Sequence, residues 1–515
     1  MLLAGLFAIA YLILRPPSAD LAAQAFRSDL FASHGFLLWN NDWYGGHYLP
    51  GYSILFPPLG AALGPRLVGA LAVVAAAGLF GVLARYRHGD RARLATLWFG
   101  AGMAAMLFSG RITFVLGIAI GLGALLALQR ERPLLAAALA LLTGFASPVA
   151  GLFLALAGVA VILAGDRRGG AVVAFSAVAG VAALSLAFPS GGNEPFAFTA
   201  FIGVPLFALG ALWLLPPEER ALRWGVAVYL IASIVAFAVA NPLGGNMARL
   251  GALAAGPVLA LGLVGRRPVA LAVLGLPLLY WQWVAPIRDV SEAAGDPSVH
   301  SSYYQPLLAQ LQRRTRGRPV RVEIPPTRNR WEANYVAPRF PLARGWLRQL
   351  ESGDADLFTD GNLTAAAYRS WLDDRGVSYI AVSDTTLDYL STDEEALIRG
   401  GLPYLRPVWS DQHWRLYRVE HSTGLVSRAG DFPGPGGSRD RLTAFGPASF
   451  TLSTQDSGQF LVRIHYTRYW TVTAGDACVE RDGQWTGVTV RDPGTVTVAA
   501  RFSLEGLFGD GQCSA

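Results

Sequence analysis

The residues best suited to chemistry gather between positions 16 and 64. The stretch runs Arg27-Ser28-Asp29-Leu30-Phe31, then His34-Gly35, then Trp39-Asn40-Asn41-Asp42-Trp43-Tyr44-Gly45-Gly46-His47-Tyr48-Leu49-Pro50-Gly51-Tyr52. Two carboxylates, Asp29 and Asp42, stand among His34, Trp39, Trp43, Tyr44, His47 and Tyr48. Aromatic rings with nearby acids suit sugar binding, because ring faces stack on sugars while polar groups take the hydroxyls. An aromatic belt at a membrane interface, with Gly and Pro supplying turns, is the competing reading. The spacing of His34, Asp42 and His47 matches no diagnostic metal-ligand pattern, so no metal or other cofactor is assigned. His413, His421 and His465 read as ordinary surface or packed residues.

Two isolated arginines add a second kind of chemistry. Arg111 lies in Phe108-Ser109-Gly110-Arg111-Ile112-Thr113-Phe114, and Arg249 closes Asn241-Pro242-Leu243-Gly244-Gly245-Asn246-Met247-Ala248-Arg249. A guanidinium pairs well with a phosphate. Taken singly, each is equally explained by snorkelling from a helix end.

The elements that must position these residues follow from composition. Of 515 residues, 53% are hydrophobic and 15% charged, where a soluble domain carries roughly 25% charged residues. The mean hydropathy is +0.37, which argues against a single water-soluble globule. Charges are sparse to about residue 285 and frequent afterwards, so the first half suits a bilayer and the second suits water. The formal net charge is +6, and all 42 basic residues are Arg. They cluster between apolar segments, which reads as topology rather than as nucleic-acid binding.

A helix of about 20 apolar residues crosses a ~30 Å hydrocarbon core. Candidate spans lie near 2–15, 65–85, 93–109, 112–129, 133–147, 149–165, 170–188, 196–215, 223–241, 249–264 and 268–285. Alternate loops hold Arg85-Tyr86-Arg87-His88 through Arg93, Arg130-Glu131-Arg132, Asp166-Arg167-Arg168, Glu218 to Arg223, and Arg266-Arg267. The positive-inside rule puts these in the cytoplasm together with the N-terminus, which leaves residues 16–64 and everything after 285 outside. Arg111 and Arg249 then break the rule, on the outer side. No small-residue cleavage site follows Leu14-Arg15-Pro16-Pro17, so the first segment reads as an uncleaved helix rather than a signal peptide.

The exported half divides in two. Residues 286–427 alternate strands at 320–324, 377–382 and 414–419 with helical patterns at 301–314, 341–351, 363–375 and 392–400. A Gly/Pro-rich linker at 428–440 leads to period-two runs over 441–515, the pattern of a small β-sandwich. Cys478 and Cys513 both fall there, and an oxidising compartment favours a disulfide between them.

One inside-to-outside helix, a long exported loop with an early Asp, and a Trp/Gly/Tyr/Pro-rich stretch resemble the GT-C superfamily of membrane glycosyltransferases. Closer still is the resemblance to bacterial GT-C-like membrane proteins, some labelled pyruvoyl-tetrahydropterin-synthase-related, whose tails are similar to Val462-Arg463-Ile464-His465-Tyr466-Thr467-Arg468-Tyr469-Trp470-Thr471-Val472 followed by Asp482-Gly483. The resemblance implies a polytopic α-helical membrane domain over residues 1–285. It implies inverting sugar transfer from a polyprenyl-phosphate donor to a glycan or lipid of the bacterial cell envelope, outside the cytoplasmic membrane. Asp29 would be the general base with Asp42 in reserve, and Arg111 and Arg249 would hold the donor phosphate. The first loop lacks an adjacent acidic pair, which departs from the metal-dependent, oligosaccharyltransferase-like mechanism.

Two other functions compete. A lipid or small-molecule transporter would show internal repeats and ionisable residues near the bilayer midplane, and the spans show little of either. A non-catalytic scaffold, with a glycan-binding exported half, would need far fewer helices.

Overall fold

In the computed structural model, residues 1–353, 355–358, 361–428, 440–503 and 513 are described. The chain separates into two compact units: Met1–Gly35 with Gly51–Gly295, and Phe36–Pro50 with Asp296–Ala515.

The first unit is all helix: α1 (Leu2–Leu14), α2 (Ala19–His34), α3 (Phe56–Leu63), α4 (Pro65–His88), α5 (Ala92–Phe108), α6 (Ile112–Gln129), α7 (Pro133–Ala146), α8 (Pro148–Ala164), α9 (Arg167–Ala187), α10 (Phe198–Phe201), α11 (Gly203–Leu214), α12 (Arg220–Ala238), α13 (Ala248–Leu263) and α14 (Pro268–Ala293). Each apolar segment expected to span folds as helix. Among the described residues, six helical stretches are long and apolar enough to cross a membrane, or seven if α1 and α2 form one bent span. One of the six, Pro65–Phe108, contains both α4 and α5. Shorter apolar helices lie at Pro133–Ala146, Pro148–Ala164 and Phe198–Leu214. The chain is therefore a multi-pass helical membrane protein.

Small residues set the helix packing, as expected where lipid supplies no hydrophobic drive between helices. A Cβ on Gly180 of α9 would stand 2.6 Å from the Leu141 carbonyl of α7, and one on Gly144 would stand 2.9 Å from the Val181 nitrogen. Helices α8 and α9 approach equally closely, since a Cβ on Gly170 would lie 2.5 Å from the Gly158 carbonyl. Arginines at the loops also finish helices: Arg223 Nη1 donates to the carbonyls of Leu212 and Leu215, at 2.6 and 2.7 Å, closing α11.

The sequence predicts a single loop over residues 16–64, but the structure builds two helices there. Pro16-Pro17 ends α1, because proline cannot continue the hydrogen-bond ladder and disfavours helix before it. The chain turns 76°, and α2 starts from Ser18 in extended conformation.

The second unit holds a four-stranded sheet and a sandwich. Residues 36–50 form the short hairpin β1 (Trp39–Asn40) and β2 (His47–Tyr48). The sheet consists of β3 (Arg321–Glu323), β4 (Val377–Ser383), β5 (Leu405–Ser410) and β6 (Trp414–Val419) in order β3-β4-β6-β5, with only β3 and β4 parallel. Helices Ser301–Thr315, Ala365–Asp374 and Thr392–Arg399 accompany it. Of the helix expected over 341–351, only a 3-10 turn at Arg348–Gly353 forms. Leu342 instead bridges to Val322 and Trp43, and Arg344 turns inward to pair with Glu323, at 2.5 Å, and with Glu394.

The sandwich has strands β7 (Val426–Arg428), β8 (Arg441–Gly446), β9 (Ser449–Thr454), β10 (Gly458–His465), β11 (Trp470–Ala474), β12 (Ala477–Asp482), β13 (Trp485–Val490) and β14 (Gly494–Ala500). Its sheets run β12-β13-β10-β7 and β11-β14-β9-β8, closed over Phe450, Leu452, Phe460, Val462, Trp470, Val488 and Val498. Cys478 is disulfide-bonded to Cys513. Most of the expected linker, residues 429–439, lies outside the described residues.

Candidate active site

Helical geometry decides which acid of the first segment meets the isolated arginines. Asp20 lies in the first turn of α2. Gln24 and Arg27 follow it at i+4 and i+7, so all three share one face. Asp29 is nine residues from Asp20, about two and a half turns at 3.6 residues per turn, and so points the opposite way. The structure agrees: Asp29 is exposed, and its carboxylate has no partner among the described residues. Asp20 instead accepts from Arg111 Nε, at 3.4 Å.

The turn between α5 and α6 makes that pair. Gly110 has φ +78°, and a Cβ there would strike the α2 N-terminus at Ser18 and, at 2.7 Å, the Leu21 nitrogen. Only glycine lets the two elements approach so closely. Arg111 is the residue that opens α6, and it rests against Met106 Sδ, 3.6 Å from Nη1. Arg249 opens α13 on a different loop. There the Asn241 side chain accepts from the nitrogens of Leu243 and Gly244, at 2.9 and 2.8 Å, and the Asn241 carbonyl accepts from Glu194 N. These bonds fix the turn that leads into α13.

Arg249 lies within electrostatic reach of Arg111, Asp20, Tyr52 and Glu194. Its guanidinium has no hydrogen-bonded partner among the described residues. Asp289, near the end of α14, also feels Arg111 and Asp20 and faces Ser109. The structure thus pairs Arg111 with Asp20 and leaves Arg249 within electrostatic reach of both. Behind them, Gln24 Nε2 donates to the Tyr52 hydroxyl at 3.1 Å, and the Arg27 guanidinium lies 3.7 Å over the Tyr52 ring. Asp20, Gln24, Tyr52 and Asp289 are not among the site residues expected from the sequence. An i, i+4, i+7 polar stripe in residues 20–27 is the signal that points to the first two.

The aromatic stretch has a different place. Residues 36–50 belong to the second unit, where they tie its two parts together. Trp39 is part of the sandwich core and packs on Trp470, with ring centroids 5.9 Å apart. Asn41 Nδ2 donates to the Gly446 carbonyl at 2.9 Å. Tyr48 shares a 2.9 Å hydrogen bond with Thr467. Toward the α/β sheet, Trp43 Nε1 donates to the Ala333 carbonyl at 2.9 Å, and Tyr44 donates to Glu351 at 3.1 Å. His47 stacks on Trp43 at 5.4 Å. Trp39, Trp43, Tyr44 and His47 are all buried and already packed against or bonded to protein partners, so they are occupied within the fold. His34 stays outside this strap, exposed at the end of α2 beside Ser33. Asp42 is 5% exposed, and burial without a compensating cation pushes its carboxyl up to about 7.

No family model and no curated protein matches the chain. Among solved structures it is similar to the oligosaccharyltransferase of Archaeoglobus fulgidus, crystallised with an acceptor peptide containing the NVT sequon tethered through a disulfide bond. That similarity has a TM-score of 0.44 at 12% identity, over 74% of this chain and 68% of the other.

The chemistry available to the cluster follows from its own groups. Two arginines near the starts of α6 and α13 supply guanidinium charge, which suits a phosphate. A carboxylate next to that position can take a proton from a bound hydroxyl. Among the described residues, no group of three or more His, Cys, Asp or Glu could hold a metal ion.

Proposed function

We propose that this chain is a membrane glycosyltransferase that moves a sugar from a polyprenyl-phosphate donor to a hydroxyl of a cell-envelope glycan or lipid. The observation that carries the reading is the ion pair of Asp20 with Arg111 in the helical unit, with Arg249 within electrostatic reach of both. Asp20 takes the general-base role here, in place of Asp29, because it faces the arginines. The distribution of loop arginines supports a site on the extracytoplasmic side of a bacterial cytoplasmic membrane, with the N-terminus inside.

The proposed step inverts the anomeric carbon. The acceptor oxygen attacks C1 from the side opposite the phosphate, and its proton passes to the Asp20 carboxylate. The bond from C1 to the phosphate oxygen breaks, and its electron pair leaves with the phosphate. Arg111 and Arg249 hold the charge that develops there.

The test compares two asparagine variants for transfer of labelled sugar from lipid-linked donors extracted from bacterial membranes. Asp20→Asn is expected to lose about 10²- to 10⁴-fold in rate, the usual share of general-base catalysis. Asp29→Asn should keep most of it. Equal activity of Asp20→Asn and the unsubstituted protein would overturn the assignment.

A further inference from the structure

A buried side chain beside the proposed base has an unspent hydrogen-bonding group. Gln24 is 1% exposed. Its Nε2 is used on the Tyr52 hydroxyl, but its Oε1 is buried with no partner. Turning the amide over would only exchange the unsatisfied atom for its neighbour, since one end meets Tyr52 and the other meets nothing. Native interiors rarely leave such a group unpaired, and one that stays unpaired calls for a specific explanation. Leucine would fill the same volume without that cost. Ser18 Oγ, at the start of α2, is likewise buried and unpaired.

Position gives the explanation. Gln24 follows Asp20 by one turn on the same face, and residues so spaced have Cβ atoms roughly 5–6 Å apart. Tyr52, which anchors the Gln24 amide, lies under Arg27 and within electrostatic reach of Arg249. The amide is therefore anchored by Tyr52 one turn along α2 from the proposed base.

We infer that Gln24, anchored by Tyr52, is a specificity-determining residue that accepts a hydrogen bond from a ring hydroxyl of the donor sugar. This rests on the proposed glycosyltransferase reading and adds to it a sugar-hydroxyl subsite one turn from the base. A site built to bond a hydroxyl rejects the analogue that lacks it, because its own polar group is then stranded.

The experiment uses the full chain in nanodiscs, titrated with farnesyl phosphate, with farnesyl-phosphate-linked hexoses and pentoses, and with their single-deoxy analogues. For the tightest-binding sugar, one deoxy position should weaken binding about tenfold or more. Gln24→Leu should weaken the parent donor by a similar factor yet leave that deoxy analogue unchanged, because the same bond is already gone. Gln24→Glu, which keeps an acceptor, should restore part of the loss, and Tyr52→Phe, which frees the amide, should show part of it. If Gln24→Leu binds the parent donor as tightly as the unsubstituted chain, or if its loss adds fully to every deoxy loss, the inference is overturned. Should farnesyl phosphate bind in an Arg111- and Arg249-dependent manner while Gln24→Leu has no effect, only the sugar subsite falls. Should neither farnesyl phosphate nor any sugar-linked donor bind, the subsite and the proposed function fall together.

Discussion

Replacing Asp42 by Asn should stabilise the second unit at neutral and alkaline pH and leave it unchanged in acid. Burial raises the Asp42 carboxyl from 3.8 to about 7, roughly three pH units at 1.36 kcal/mol each, or about 4 kcal/mol at most. Because the folded value lies above the unfolded one, the folded state keeps a proton that the unfolded state releases between these limits. Stability therefore falls as pH rises from about 4 to about 7 and stays low above that. The Asp42→Asn variant would keep the shape and the backbone bonds, in which Leu342 N donates to the carbonyl of residue 42 at 2.9 Å, without the charge. A unit of this size shifts its melting temperature by about 2–4 °C per kcal/mol, so the variant should melt roughly 10 °C higher at pH 8 and at the same temperature at pH 4. Intrinsic Trp fluorescence during heating reads the difference. A gap of equal size at both pH values, or a variant that melts lower at pH 8, would refute the reasoning.

Two further predictions concern packing and buried charge. Gly180→Leu should prevent recovery of monodisperse protein in detergent, because its Cβ would enter the α7 backbone at Leu141. Gly210→Ala, where the added carbon meets nothing within 4 Å, should behave normally in the same chromatography. Arg344→Met should cost about 3–5 kcal/mol by leaving Glu323 and Glu394 buried without their cation. Adding Glu323→Gln and Glu394→Gln should recover most of that in thermal melts, and no recovery would argue against charge as the cause.

The apolar segments were legible because a membrane helix is coded by a local run of residues, and the period-two strands β9, β10 and β13 are local in the same way. Arg111 and Arg249 stood out because each broke a simple rule of loop charge. Helix α2 was hidden, since residues 19–34 mix Asp, Gln, Arg and Ser with apolar residues and lack a continuous hydrophobic run. Asp29 is marked only by its neighbours in sequence, whereas the helix turns it to solvent and turns Asp20 toward Arg111. The aromatic strap was illegible for another reason. Its partners lie hundreds of residues along, Asn41 bonding the Gly446 carbonyl across 405 positions, and no local pattern separates a ring that stacks on sugar from one that packs in a core. The absence of helix over 341–347 shares that cause, because Arg344 is drawn inward by two distant glutamates.

The central claim is that Arg111 and Arg249 hold one phosphate with Asp20 beside it. An experimental structure of the full chain in nanodiscs with farnesyl phosphate bound tests it most directly. The account predicts phosphate density in hydrogen-bond contact with both guanidinium groups and the Asp20 carboxylate next to it. A phosphate seated elsewhere, or touching neither arginine, would contradict it.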